Sequence, residues 1–249
     1  MNFRFPPVLL TSCVIVSDYS VNLKDKDFRI GLTLQSIAKW LEIVPDLRLV
    51  ICDGSNFDFS VIVRERFPCA SIESVFFQND VQKVEIYGKG YGEGEIVNYA
   101  IAHSVYLRES EYFAKCTAKL WVDNFPDCVA GWNGRCLLKG YFADVFSFNP
   151  TRFEYVDTRF YIVSKAFYMK YFSTVYLNVD SDHGVSLEHC FRDVIEKYGL
   201  KNILFNVPAV ICGVGGGSGT YYKNNLKRRI KESIRLRLAK RQSLYKLLF

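Results

Sequence analysis

The chain opens with an alternation of apolar runs and amphipathic stretches. VLLTSCVIVS (8–17) is a short β-branched, apolar run that predicts a strand buried on both faces. FRIGLTLQSIAKWLE (28–42) places Ile30, Leu34, Ile37 and Leu41 at helical spacing. LRLVICDGS (47–55) is a second buried strand that ends in an Asp-Gly turn. A short helix at 60–66 and a strand at 71–77 follow. Strand, helix, strand, helix, strand in this order predicts a parallel sheet with right-handed crossovers. Ligands of such sheets sit beyond the carboxyl ends of the strands. Ser17, Asp18, Asp53, Gly54 and Ser55 are expected there.

GKGYGEGE (88–95) sets a glycine at every second position and runs into IVNYAIAHSVYLRE (96–109), a predicted helix. EYFAKCTAKLWV (111–122), YFADVFSF (141–148) and RFYIVS (159–164) read as strands. Residues 165–173 and SLEHCFRDVIEKY (186–198) read as helices. GVGGGSG (213–219) reads as a flexible linker between a domain spanning 1–215 and a tail spanning 216–249.

Composition supports a folded globular protein and argues against disorder: hydrophobic residues make up 49% and aromatics 16%. No apolar run approaches the roughly 18–20 residues that span a bilayer, and MNFRFPPVLL reads as the lead-in to a first strand, not as a signal peptide. The eight cysteines form no CxxC pair, which argues against a zinc site and points to a reducing, cytoplasmic setting. The net charge of +6 is uneven. From Lys223 onward there are ten Lys/Arg and one acid, a net +9, so the remainder carries −3. Leu226, Ile230, Ile234 and Leu238 recur every fourth residue among those cations, the pattern of a basic amphipathic helix on an anionic membrane surface through residues 224–249. A partner-docking helix is the other reading of this pattern. Cations confined to the tail, with no nucleic-acid module beside them, argue against a nucleic-acid partner.

The glycine-rich stretch is no dinucleotide fingerprint. It follows the third strand instead of the first, lacks a Walker lysine-serine ending, and carries two carboxylates that would repel a diphosphate. Glu95 suits the first turn of a helix. Alternatively Glu93 or Glu95 binds sugar hydroxyls where the glycines bring backbone close. Asp53 is either a turn former or a nucleotide ligand. Glu188 is either a first-turn acid behind a Ser186 cap or a catalytic base. Asp157 and Arg159 are either a turn pair or ligand contacts, and His103 fits a packed apolar face.

The first strand ending near Asp18, the Gln35-Ser36-Ile37 helix and the strand ending Val50-Ile51-Cys52-Asp53-Gly54-Ser55 resemble the start of GT-A nucleotide-sugar glycosyltransferases. GKGYGEGEIVNYAI, YFAKCTAKLWVDN, YVDTRFYIVSKAFY and GVSLEHCF, taken in order, resemble bacterial capsule and lipopolysaccharide O-antigen transferases, over roughly residues 8–215. The resemblance implies a GT-A-like, Rossmann-like, mostly parallel sheet flanked by helices, with the basic amphipathic helix appended. It implies transfer of a sugar from a nucleotide-diphosphate donor to a lipid-linked glycan, by a peripheral enzyme on the cytoplasmic face of the bacterial inner membrane. The donor would contact Asp18, Asp53, Gly54, Ser55, Lys89, Glu93, Glu95, Lys115 and Lys119. Asp157, Arg159 and His189 would contact the acceptor, and Glu188, Asp182 or Asp180 would supply the base.

The family's "TGR" triplet stands here as Thr117-Ala118-Lys119, and its metal motif is reduced to Asp123 in Val122-Asp123-Asn124. A literal Asp180-Ser181-Asp182 comes much later in the chain. Dependence on Mn2+ or Mg2+ is thus left open, with Lys115 and Lys119 as alternative point charges for the diphosphate. A nucleotidyltransferase would carry a glycine-rich triphosphate loop after the first strand, and 16–26 contains no glycine. That rival, and a non-catalytic membrane scaffold with a decayed sugar site, stand as the alternatives.

Overall fold

The computed structural model describes residues 5–16, 21–217, 219–241 and 245–249, apart from the Arg228 side chain. Its elements are β1 (Val8–Ser12), α1 (Lys26–Ile43), β2 (Leu49–Asp53), α2 (Ser60–Arg66), β3 (Ile72–Phe76), α3 (Val81–Tyr87), α4 (Lys89–His103), α5 (Val105–Arg108), β4 (Tyr112–Thr117), β5 (Leu120–Val122), α6 (Phe125–Ala130), β6 (Cys136–Ala143), β7 (Arg152–Ser164), α7 (Lys165–Tyr171), α8 (Leu187–Lys197), β8 (Ile211–Val214), β9 (Tyr221–Tyr222) and α9 (Leu226–Arg241).

A six-stranded sheet runs β3-β2-β1-β4-β7-β6, and a small sheet runs β5-β8-β9. β1, β2, β3 and β4 pair in parallel, as the alternation of strands and helices predicts, while β7 and β6 join antiparallel. The sheet is thus a mostly parallel, Rossmann-like layer with helices on both faces. Leu9 buries its side chain on one face with Val50, Ile96 and Phe113, and Val8 and Leu10 bury theirs on the other with Ile37, Trp40 and Phe125. This alternation is why the central strands read as unbroken apolar runs.

Asp25 caps α1, its carboxylate accepting from the Phe28 amide at 2.6 Å. The helix stops at Val44, ahead of Pro45. Its inner face grips the turn between β4 and β5, because Ser36 Oγ and Trp40 Nε1 both donate to the Leu120 carbonyl, at 2.6 and 3.0 Å. That grip splits the predicted strand 111–122 into two strands belonging to different sheets.

Three further expectations are corrected. The glycine-rich stretch is the first half of helix α4. Three of its glycines space close contacts: a Cβ on Gly94 would clash with Tyr176, one on Gly92 would lie 2.8 Å from Asn79, and one on Gly90 would lie 3.1 Å from Leu187. Glycine in a helix costs about 0.5–1 kcal/mol relative to alanine, and here packing offsets that cost. The strand predicted at 141–148 ends at Ala143, and β7 begins seven residues earlier than the 159–164 run. The glycine run at 213–219 is no linker. It joins two paired strands, β8 and β9, so the expected division at 215/216 falls inside a hairpin.

Candidate functional site

A cleft of about 350 Å³ opens at the carboxyl ends of β1 and β4. Thr11, Ser12 and Cys13 form its floor with Thr117. Lys89, Gly90, Gly92 and Glu93 of α4 form one wall, and Ser186, Leu187 and Glu188 at the start of α8 form another. Gly215, Gly216, Gly217 and Tyr222 close over it.

Four cations line this space: Arg29, Lys89, Lys119 and Arg159. Lys119 follows β4, is 3% exposed, and has no hydrogen-bond partner among the described residues. Burial, reinforced by the nearby Arg29 charge, pushes its ammonium pKa down to about 7. Lys89 stands against Gly217, and Lys119 against Gly216: a Cβ would lie 2.7 Å from Lys89 Nζ in the first case and 3.0 Å from Lys119 Cε in the second. The glycine run is therefore the lid strip that lets both lysines reach the cleft. Arg159 lies over the Tyr222 ring at 4.7 Å and is gripped by Asp157, whose two oxygens accept from Nε and Nη2 at 2.7 and 2.6 Å. Burial alone would raise the Asp157 carboxyl, but Arg159 and Lys139 hold it well below the usual carboxylate range.

Two carboxylates share the cleft with these cations. Glu93 pairs with Lys115, a fully buried ammonium that also donates to the Thr158 carbonyl at 2.8 Å. Thr158 Oγ1 in turn donates to Glu188 Oε1 at 3.0 Å. Lys115 thus reaches both carboxylates without lining the cleft, since it holds Glu93 directly and Glu188 through the β7 backbone.

Of the residues singled out from sequence, Lys89, Glu93, Lys119, Arg159 and Glu188 line the cleft. Asp18 lies outside the described residues. Asp53 is fully buried and accepts from the backbone of Val14 and Ser55, while Ser55 Oγ accepts from Val14 and Ile15. The pair shapes the segment after β1 from behind. Gly54 gives room to Asn79, which a Cβ would meet at 2.6 Å. Glu95 turns away and accepts from the Asp80 amide, and burial raises its carboxyl. His189 bonds back to Ser186 and completes the cap of α8. Asp180 binds His183 at 2.8 Å, and Asp182 sits exposed in the same turn, from which only Ser181 reaches the cleft. Asp123 accepts from Trp121 Nε1 and Asn224 Nδ2, at 2.7 and 3.0 Å, away from the cleft. Among the described residues no three His, Cys, Asp or Glu side chains converge as metal ligands.

Sequence reasoning missed several contributors. Arg29 sits in the apolar helix α1, 5% exposed, and donates to the carbonyls of Cys13, Leu23 and Gly216. It locks the segment after β1 to the glycine strip. An arginine within an apolar helical stripe was the available signal. Thr11 Oγ1, Ser12 Oγ and Asn79 Oδ1 are buried in the cleft lining without partners among the described residues. Buried polar atoms normally find a partner, so these three mark where a polar ligand would bind.

No protein-family model matches the chain, and no curated protein sequence matches it. Among solved structures, the inositol-1-phosphate CTP transferase from T. maritima is similar, with a TM-score of 0.50, 15% identity, and coverage of 97% of this chain and 98% of that one. A 4-diphosphocytidyl-2C-methyl-D-erythritol synthase gives a TM-score of 0.45 at 9% identity, covering 95% of this chain and 100% of its own. Mouse xyloside xylosyltransferase 1, in its apo form, gives 0.45 at 8%, covering 81% and 84%. At such identities the likeness to the first of these shows the fold alone. The chain has the Rossmann-like α/β fold seen in that CTP transferase, built on a mostly parallel sheet.

Proposed function

We propose that this chain is a glycosyltransferase that binds a nucleotide-diphosphate sugar in the cleft and passes the sugar to a hydroxyl of a lipid-linked glycan. The observation that carries the reading is the pairing of an unpartnered buried ammonium, Lys119, with an oriented carboxylate, Glu188, in one cleft. Lys119, Lys89 and Arg159 would hold the diphosphate, supplying the charge that a departing phosphate develops. At about 4 Å and an effective dielectric of about 20, each such contact is worth roughly 4 kcal/mol before desolvation. Thr11, Ser12 and Asn79 would bind the nucleoside's polar edge.

In the transfer, the acceptor oxygen forms a bond to the anomeric carbon as the carbon–oxygen bond to the diphosphate breaks. The electron pair leaves with the diphosphate, and the hydroxyl proton goes to Glu188. The basic helix α9 would hold the enzyme on the anionic cytoplasmic face of a bacterial inner membrane, beside its acceptor, raising the local concentration of that acceptor. Among the described residues no helix is long and apolar enough to cross a membrane.

The T. maritima structure keeps a second reading in view, in which the same cations hold a nucleoside triphosphate and the product is a nucleotide sugar. The absence of glycine from 16–26 favours sugar transfer. Calorimetry with a panel of nucleotide sugars and with nucleoside triphosphates, with and without manganese, separates the two, and no binding to either favours a scaffold. Glu188→Gln should abolish release of nucleoside diphosphate while leaving donor affinity within about threefold, because the carboxylate acts on the acceptor. Unchanged turnover would reject the assignment.

A further inference from the structure

Away from the cleft, two neighbouring elements present apolar side chains to solvent. In α9, Leu226, Ile230 and Ile234 are spaced four apart and are 69%, 51% and 44% exposed. Exposed Lys227, Arg229, Lys231 and Arg237 flank them. The helix's one acid, Glu232, is neutralised by Arg235 at 2.8 Å. Beside the helix lies the tip of the β6–β7 hairpin. There Phe146 and Phe148 stand out in solvent, Phe148 with its whole side chain uncovered.

The two elements are fastened to each other. Lys231 Nζ and the Arg235 guanidinium lie over the Phe146 ring, at 5.9 and 5.7 Å from its centroid. Below the tip, the Tyr245 hydroxyl donates to the Thr151 carbonyl at 2.9 Å and accepts from the Phe153 amide at 3.2 Å. The tip's acid, Asp144, is paired with Arg152 at 3.3 Å. What the patch offers is thus cationic and apolar at once, with its carboxylates cancelled internally.

We infer that the β6–β7 tip is a second membrane wedge: Phe146 and Phe148 enter the interfacial layer of an anionic bilayer beside α9, so that helix and hairpin together fix the enzyme's orientation. This rests on the reading of α9 as a membrane-surface helix. Charge complementarity selects the occupant. Exposed lysines and arginines around an aliphatic stripe suit anionic headgroups, and exposed phenylalanines at the same level suit the boundary between headgroup and acyl chain. The aliphatic stripe of α9 sets the rotation about the helix axis only within the width of that stripe, and a second contact off the axis narrows it.

The test uses the full chain without nucleotide, on phosphatidylcholine vesicles with and without phosphatidylglycerol, so membrane attachment is measured independently of what the cleft binds. Phe148→Trp, at a side chain that makes no packing contribution, should show blue-shifted emission and quenching by brominated acyl chains only when phosphatidylglycerol is present. Phe146→Ser with Phe148→Ser should lower the vesicle partition coefficient about tenfold or more. Three results overturn the inference: an unquenched tryptophan on a vesicle-bound protein, a double variant that partitions like the wild type, or a wild type that does not bind these vesicles at all.

Discussion

If the donor's diphosphate binds at the buried ammonium of Lys119, as proposed, its binding should be proton-linked. Without a bound diphosphate the Lys119 pKa is about 7, lowered by burial and by Arg29. A bound diphosphate brings negative charge to that ammonium, which favours the protonated form and raises the pKa again. At about pH 8 the free protein holds a proton on Lys119 in only about a tenth of molecules, and the complex holds it in nearly all. Binding should therefore take up about 0.9 proton at about pH 8 and almost none near pH 6. The direction follows from the sign. The bound form holds more protons than the free form, so affinity falls as pH rises, by about tenfold between about pH 6 and pH 8, or about 1.4 kcal/mol. An intact nucleotide sugar is the right ligand, because its bridging diphosphate has no group that titrates in this range. Calorimetry in buffers of different ionisation enthalpy reads the uptake directly, and Lys119→Gln should abolish both the uptake and the slope. A wild type that binds without proton uptake at about pH 8, or a variant that keeps the uptake, refutes the placement of the diphosphate on Lys119.

Lys115→Met should destabilise the fold by about 2–3 kcal/mol in denaturant titration, less than for a fully buried pair because the Glu93 side chain is 24% exposed; adding Glu93→Gln should restore part of the loss, as a double-mutant cycle would show. Gly94→Ala should lower stability by about 1–3 kcal/mol despite alanine's better helix propensity, because the new methyl meets the Cβ of Tyr176, which has no flexible end to swing aside. Arg29→Lys removes the guanidinium fork that joins Cys13, Leu23 and Gly216. It should weaken nucleotide-sugar binding more than about tenfold with a modest fall in thermal midpoint, and equal affinity would dismiss the locking role.

The sheet was legible because burial on both faces leaves a local mark. Val8–Leu10 and Leu49–Cys52 are apolar without interruption, and the helix between them keeps a spacing that no strand would. β7 was only half legible. Its first seven residues, Arg152–Thr158, mix charged and aromatic side chains, because they pair at a sheet edge with β6 and present Asp157 to Lys139 and Arg159. The helical state of residues 89–95 was not legible, and the reason is energetic. Local propensity opposes a helix there, and the interactions that favour it come from Tyr176, Asn79 and Leu187, residues near in space but, in two of the three cases, some eighty or more positions away.

The cleft shows the same division between what a residue does and what it touches. Asp53 at a strand end and Asp157 within β7 are candidate ligands by sequence, yet Asp53 is spent on backbone amides and Asp157 on a guanidinium, so their charges are satisfied before any ligand arrives. What remains unsatisfied is less conspicuous in a sequence: one lysine after a strand, two hydroxyls at the end of another, and an asparagine amide. A site that binds a polyanion needs cations whose own partners are missing, and the fold provides this by surrounding Lys119 with a neighbour of like charge, Arg29, whose donors are committed to carbonyls. Arg29 therefore holds the loop and also lowers the Lys119 pKa, so the architecture of the first strand–helix unit would set the proton-linked binding that the calorimetry reads.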